Sequence, residues 1–408
     1  MLRAGVGQSS NPSTERAAEE AAAQAMARAG IAQADLVLVF FTVDHVSSWQ
    51  KLTAVLQRIA RTNEIVGSSG MGVLTIDGEI EGSAGLVVLV LASDDVRARP
   101  FLYHPLRDRE AEIGTEVGRT LPAGAREESL LVAFPDPYNG QPRLLFRGIE
   151  ESSGFVPLVG AGSSENGSLG KTFQLYGEKI TTNALSGFSL SGSFASSIGI
   201  TQGCQPTSEP MTITKTEGNL ILEIDNRPAF EAFARIVKGP LRENLGRALA
   251  YVFIGLPTDP RQNKVGQGEY LVRNIVGLDP RQGILAVGEE VFEGERMVFT
   301  LRDGQRARED LSQMLERQAR SLGSKSPKVG FYFNCCARGR SLYGMDGIDT
   351  AYIRQSLGEF PLIGLFGSFE LGPLGRKNHL LAYTGVLVLI TEPSPFPLPR
   401  RERIKGEG

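Results

Sequence analysis

Histidine, cysteine and tryptophan are scarce in this chain: three, three and one among 408 residues. His45, His104 and His379 lie far apart, and no pair has the spacing that sets two imidazoles on one helix face. No Cys/His cluster has the spacing of a zinc site either. The cysteines are Cys204, Cys335 and Cys336. An odd count with two adjacent members gives no disulfide framework, which fits a reducing compartment and a cytoplasmic location. An excess of positive charge is also missing. Lys and Arg number 43 against 46 Asp and Glu, a formal net charge of -3, so bulk electrostatics does not favour nucleic acid. The longest apolar runs, such as 36–43 and 85–91, are strand-sized and well short of the roughly 20 residues that cross a bilayer. Residues 1–11 lack the basic-then-apolar pattern of a signal peptide. Neither nucleic acid nor membrane is an expected partner.

Common catalytic signatures are absent. There is no G-x-x-x-x-G-K-[ST] loop, and Gly70-Met71-Gly72 and Gly160-Ala161-Gly162 lack the third glycine of a dinucleotide fingerprint. The serines Ser68, Ser69, Ser163 and Ser164 lack the framing glycines of a nucleophile elbow. The chain is therefore not expected to be an enzyme, and no cofactor is expected.

What is present is glycine, 48 residues of it, and a 41% hydrophobic content that is ample for a core. Residues 13–29 are Ala- and Glu-rich and predict a helix. DLVLVFFTV at 35–43 predicts a strand buried on both faces. Leu52, Val55, Leu56 and Ile59 have helical spacing, and a short strand then ends at Gly67. The same order returns with SLLVAF (129–134), a loop and helix at 138–151, and VPLVG ending at Gly160. It returns again with KVGFYF (328–333), a helix at 349–357, and PLIG ending at Gly364. Gly67, Gly160 and Gly364 thus close three copies of a strand–loop–helix–strand–turn unit of roughly 30 to 35 residues, a length that suggests internal repetition. Strand-like stretches between 172 and 224 read as an antiparallel meander. Arg227-Pro228 opens a helix and marks a boundary between halves.

The fold class is α+β, with two subdomains, each a mixed or antiparallel sheet core flanked by helices. The expected organisation is an N-terminal helix in 1–30, a first domain at 31–226 and a second at 227–391. The Pro- and charge-rich segment 392–408 reads as a disordered tail.

Candidate binding residues cluster just past the glycine-closed strands, where α/β proteins often seat ligands. Ser68, Ser163 and Ser164 offer hydroxyls that both donate and accept. Asn334-Cys335-Cys336-Ala337-Arg338 follows an apolar strand. There a guanidinium can hold a carboxylate bidentately, and a neighbouring thiol can be activated. Glu370, beyond the third glycine turn, would complement Arg338 around a zwitterion, and Asn378 and His379 precede the last strand. Each has a structural alternative: a tight turn, a buried thiol, an ion pair, a satisfied core histidine.

Taken in order, these stretches resemble the FIST family. The resemblance rests on Ile65-Val66-Gly67-Ser68-Ser69, Gly72-Val73, Gly78–Glu81, and Val159-Gly160 with Ser163-Ser164. It continues through Cys335-x-x-Arg338-Gly339, Pro361-Leu362-Ile363-Gly364, Glu370-Leu371-Gly372-Pro373, Asn378-His379 and Thr384-Gly385-Val386, and spans residues 30–391. Phe369 stands where the family often has glycine. The resemblance implies a signal-input protein that binds a small molecule, amino acids among the candidates. No segment is left over for a kinase or F-box, so a stand-alone sensor with a separate signalling partner is expected. Two alternatives accompany it. One is a haem-binding, nitric-oxide-type sensor with His379 or a cysteine as axial ligand. The other is a cysteine-dependent enzyme using Cys335 or Cys336 with His379 as base.

Overall fold

The computed structural model describes residues 1–121, 129–259, 265 and 268–393. The first repeat runs β1 (Arg3–Ser9), α1 (Thr14–Ala29), β2 (Leu36–Phe41), α2 (Trp49–Ala60), β3 (Ile65–Ser69), the hairpin β4 (Gly72–Thr75) and β5 (Gly78–Glu81), and β6 (Leu86–Ala92). The second follows the same plan: β7 (Val96–Tyr103), α3 (Glu110–Arg119), β8 (Ser129–Pro135), α4 (Pro142–Ser153), β9 (Leu158–Ala161), the hairpin β10 (Gln174–Tyr176) and β11 (Lys179–Thr181), and β12 (Leu185–Gly192).

The third begins with β13 (Ala195–Gln202) and is interrupted by an inserted sheet. The insert comprises β14 (Cys204–Pro206), β15 (Met211–Glu217), β16 (Leu220–Ile224), β17 (Arg227–Pro228), α5 (Ala229–Ile236), α6 (Leu245–Ala248), β18 (Val252–Pro257), β19 (Tyr270–Arg273), β20 (Ile275–Asp279), β21 (Ile284–Val287) and β22 (Arg296–Arg302). The repeat resumes with α7 (Gly304–Leu322), β23 (Val329–Cys335), α8 (Gly339–Tyr343), α9 (Ile348–Leu357), β24 (Leu362–Gly367), the hairpin β25 (Glu370–Leu374) and β26 (Lys377–Leu381), and β27 (Thr384–Thr391).

The strand orders expose the plan. The three repeat sheets read β1-β6-β2-β3-β10-β11, β7-β12-β8-β9-β25-β26 and β13-β27-β23-β24-β4-β5. In each, the first and last strands pair antiparallel, the second and third pair parallel, and the outer hairpin comes from another repeat. The hairpins are exchanged in a ring. Two-fold alternation along the strands turns one face of each sheet to a shared interior. Residues at the same register in the three repeats meet there: Phe40 and Phe134 have ring centroids 5.0 Å apart, and Phe134 and Phe333 5.9 Å apart. The outer faces carry helices. The face of α1 that meets β1 is almost all alanine, which lets helix and sheet approach closely, and Leu52, Val55 and Leu56 of α2 join the same cluster. The inserted sheet has its own core around Ile213, Phe233, Ile254 and Phe299.

Gly67, Gly160 and Gly364 sit opposite Val39, Ala133 and Tyr332 in the three parallel pairs. A Cβ at these glycines would lie 2.0, 2.0 and 1.8 Å from the partner carbonyl oxygen. The repeated glycine is thus a condition for close parallel backbone approach.

The mixed-sheet, helix-flanked α+β character matches the sequence reading, but the partition differs. Residues 1–30 hold β1 as well as the helix. The boundary expected at 226/227 falls inside the inserted sheet, between β16 and β17, which pair with each other. The domains expected at 31–226 and 227–391 are likewise interleaved, because β13 pairs with β27 and β4 with β24. The expected meander forms only at its end, where β15 and β16 pair antiparallel. Its strands β10, β12 and β13 enter three different sheets, because β10 is exchanged with its hairpin while β12 closes the second repeat and β13 opens the third. Of the expected disordered tail, residues 394–408 lie outside the described residues. Among the described residues, no helix is long and apolar enough to cross a membrane.

Hairpin exchange also places charge. Glu79 of β5 accepts hydrogen bonds from the backbone N–H groups of Gly347 (2.9 Å) and Thr350 (3.1 Å) at the start of α9. Burial, then the neighbouring Asp349, push its carboxyl from 4.5 up to about 7. The folded chain holds this proton more tightly than the unfolded chain does. Stability should therefore fall as pH rises from about 4.5 towards 7. Glu79→Gln is expected to flatten that part of a stability–pH curve, measured by urea unfolding. An equally steep curve in the variant would contradict the assignment.

Candidate functional site: strand ends and an interdomain cleft

The residues singled out in the sequence fall into three places. Ser68, Ser163 and Ser164 converge where the glycine turns of the repeats abut, but their hydroxyls are committed to stitching those turns together. Ser68 Oγ lies 2.6 Å from Ser163 Oγ, and Gln174 Nε2 donates to Ser163 Oγ at 2.9 Å. Ser164 Oγ donates to the Phe366 carbonyl at 2.5 Å and accepts from the Met71 N–H at 2.7 Å. Ser68 and Ser163 are fully buried.

The Asn334–Arg338 segment divides between two faces of its sheet. Alternation along β23 sends Phe331, Phe333 and Cys335 inward and Tyr332 and Asn334 outward. On the outer face, Asp349 of α9 accepts from Tyr332 Oη (2.9 Å), Asn334 Nδ2 (2.9 Å) and Tyr343 Oη (2.8 Å). Arg338 completes the network, donating to both Asp349 oxygens at 3.1–3.2 Å and to Tyr343 Oη at 2.7 Å. Arg338 and Asp349 are both 0% exposed. The carboxylate that Arg338 was expected to take from a ligand is supplied by the protein.

Glu370 is also fully buried, on the Cys335 side. One carboxyl oxygen accepts from the Thr384 N–H (3.1 Å) and Oγ1 (2.6 Å), and the other has no partner among the described residues. Burial pushes its ionisation well above the usual carboxylate range. Arg338 is bonded to Asp349 and Glu370 to Thr384, so the Arg338–Glu370 clamp expected around a zwitterion is not assembled.

Asn378 and His379, on β26, lie elsewhere. The Asn378 amide brackets β9, accepting from the Leu158 N–H and donating to the Val156 carbonyl, each at 3.0 Å. His379 faces a cleft of about 750 Å³ between the second repeat and the inserted sheet. One wall is α4 and β26, carrying Arg143, Glu150 and Lys377. The other is the inserted sheet, carrying Arg273 and Glu289. Glu289 is ion-paired to both Arg143 and Arg273, which ties the two walls together. Arg273 is 8% exposed, and burial followed by the charge of Arg143 lowers its ionisation to about 10. Burial, then Lys377, Arg273 and Arg143, push His379 down to about 4, so its imidazole is neutral at pH 7, with one nitrogen able to donate and the other to accept. Glu150 Oε1 is buried without a partner among the described residues. His379 hydrogen-bonds neither Cys335 nor Cys336 among the described residues, so it is not placed as their base.

The cleft residues other than Asn378 and His379 escaped the sequence reading. They sit singly on a helix face or sheet edge, where charge is ordinary, and only the docking of the insert collects them. Asp349 was likewise indistinguishable from a common first-turn helix acid.

Fold and cleft together define a three-repeat α+β protein with an inserted sheet and a ligand-sized hollow where the two meet. The chain belongs to the FIST family: the FIST N domain matches residues 35–227 and the FIST C domain residues 229–373. FIST domains are sensory domains. An uncharacterised protein of Mycobacterium tuberculosis is 29% identical over 391 residues, covering 96% of this chain and 100% of its own. An uncharacterised Mycobacterium bovis protein is 29% identical over 392 residues, covering 96% and 99%. Among solved structures, a cyanuric acid hydrolase from A. caulinodans aligns with 97% of this chain and 100% of its own at 10% identity, with a TM-score of 0.39.

Proposed function

We propose that the protein is a non-catalytic sensory module of the cytoplasm. It binds a small zwitterionic metabolite, an amino acid or a close relative, in the cleft beside His379 and signals to a separate protein partner. The observation that carries this reading is the cleft itself. It has the size of a metabolite site, its walls come from two bodies with separate cores, and it gathers Arg143, Arg273 and Lys377 with the unpartnered oxygen of Glu150. A ligand carboxylate suits the cations and competes with Glu289 for them. An ammonium suits Glu150, and neutral His379 can bond to either end. Because Glu289 joins the walls, its displacement changes how the insert is held, which gives binding a structural consequence.

The haem alternative draws no support from these residues. The lining mixes apolar Phe146, Leu256, Leu271 and Leu380 with the charged Arg143–Glu289–Arg273 pairing beside the imidazole, and none of these marks a site for a macrocycle.

A thermal-shift screen over the amino acids tests the proposal. Ligand at 100 times its Kd adds about 2.7 kcal/mol, which for a chain of this size raises the melting temperature by about 2 °C or more. Glu150→Gln and Lys377→Ala are expected to remove the shift while leaving the unliganded melting temperature nearly unchanged. A screen without a shift, or a shift that both variants retain, would sink the reading.

A further inference from the structure

The cleft beside His379 is lined by more than charge. Phe146 of α4, Leu380 of β26, Leu256 of β18, Leu271 of β19 and Phe292, on the loop between β21 and β22, also face it. On the insert wall, Leu256 and Leu271 stand directly opposite each other in the antiparallel pair β18–β19, so their side chains share one face of the sheet. Arg273 lies two residues beyond Leu271 on the same strand and projects from that face too. The step between them is about 6.8 Å. On the other wall, Arg143, Phe146 and Glu150 of α4 follow one another at spacings of three and four residues, which stacks them on one face of the helix. Phe146 thus stands between the cation and the acid, about 4.5 Å along the axis from one and about 6 Å from the other.

These apolar groups are open to a ligand. Leu256, Leu271 and Leu380 are half-buried, and Phe292 is 56% exposed. The Phe292 main chain is nevertheless held. Its N–H donates to a Glu295 carboxylate oxygen at 3.0 Å, and its carbonyl accepts from the Glu295 N–H at 3.2 Å. A ligand with its carboxylate towards Arg143 and Arg273 and its ammonium towards Glu150 must lie across Phe146 and Leu271. A polar ligand side chain there loses water and gains no hydrogen bond from these apolar groups, which is costly. An apolar one removes its own surface and that of the wall from water together. The volume of about 750 Å³ leaves room for a bulky group.

Taking the cleft as the amino-acid site proposed above, we infer that its ligand carries a bulky apolar side chain, of the leucine or phenylalanine class, and that Leu256, Leu271 and Phe292 set this preference. The charged groups hold the two ends that every amino acid shares. The apolar groups distinguish one amino acid from another.

Calorimetric titration of the full chain with leucine, phenylalanine, alanine, serine and glutamate tests this. One methylene in an apolar pocket is worth about tenfold or more in discrimination. Leucine and phenylalanine should therefore bind at least about tenfold more tightly than alanine, serine or glutamate, with a more negative heat-capacity change. Phe292→Ser, at an exposed position, keeps the core intact and should reduce the leucine-to-alanine ratio at least about threefold. Leu256→Ser should act in the same direction. Alanine, serine or glutamate binding as tightly as leucine would overturn the apolar preference while leaving the cleft an amino-acid site. A leucine preference that survives both variants would overturn the assignment of these side chains. No binding by any of the five would overturn the preference and the amino-acid reading together.

Discussion

Arg338→Ala should cost about 3–5 kcal/mol of folding stability, because it strands the fully buried Asp349 carboxylate without its cation. Asp349 would keep its bonds from Tyr332, Asn334 and Tyr343 but lose the only cation that hydrogen-bonds to it among the described residues. Arg338→Lys should rescue little, since an ammonium cannot reproduce the fork that reaches both Asp349 oxygens and Tyr343. Replacing both partners with apolar residues, Arg338→Met with Asp349→Leu, should recover much of the loss, as buried ion pairs often tolerate joint removal. Urea unfolding of the three variants checks this. If Arg338→Ala unfolds at the parent's midpoint, the network is not structural, and the guanidinium returns as a ligand group.

The second large effect is steric. Gly364→Ala would place a methyl 1.8 Å from the Tyr332 carbonyl oxygen and 2.9 Å from Leu74 Cδ1. Backbone must move, and the parallel pair β23–β24 that carries the Asp349 network moves with it. A loss of about 4 kcal/mol or more is expected, at the extreme of single substitutions, seen as insoluble expression or a collapsed unfolding midpoint. Gly375→Ala, at a position with open space around it, controls for the loss of glycine. Its positive φ of 62° predicts only the roughly 1–2 kcal/mol cost of left-handed backbone. Equal effects at the two positions would contradict the close-approach explanation.

The repeat was legible because its signal is local. An apolar strand, a helical period and a glycine recur within one short window, and the glycine marks a backbone approach that no other residue permits. β1 was not legible: Arg3–Ser9 has a single large apolar residue, Val6, and its burial depends on the alanine face of α1. The hairpin exchange was not legible either, since nothing in β4–β5, β10–β11 or β25–β26 names the sheet each joins. The candidate site suffered from the same limit. Asn334, Cys335 and Arg338 are neighbours in sequence, yet strand alternation divides them between a helix-covered face and the interior. Asn378 and His379 were read as preceding a last strand at 380–390, but they lie within β26, and that stretch breaks after Leu381 before β27 begins at Thr384; His379 also faces the cleft. Apart from β26, its residues come from α4 and the insert, more than 100 positions apart, and only the folded chain brings them together.

Hydrogen–deuterium exchange with and without the twenty amino acids at saturating concentration interrogates the cleft most directly. Protection should appear in α4, β26 and β19, the elements that supply Arg143, His379 and Arg273, with little change in α1 or α9. Protection confined to the glycine turns around Ser68, Ser163 and Glu370, or no protection at all, would place the ligand elsewhere or deny it altogether.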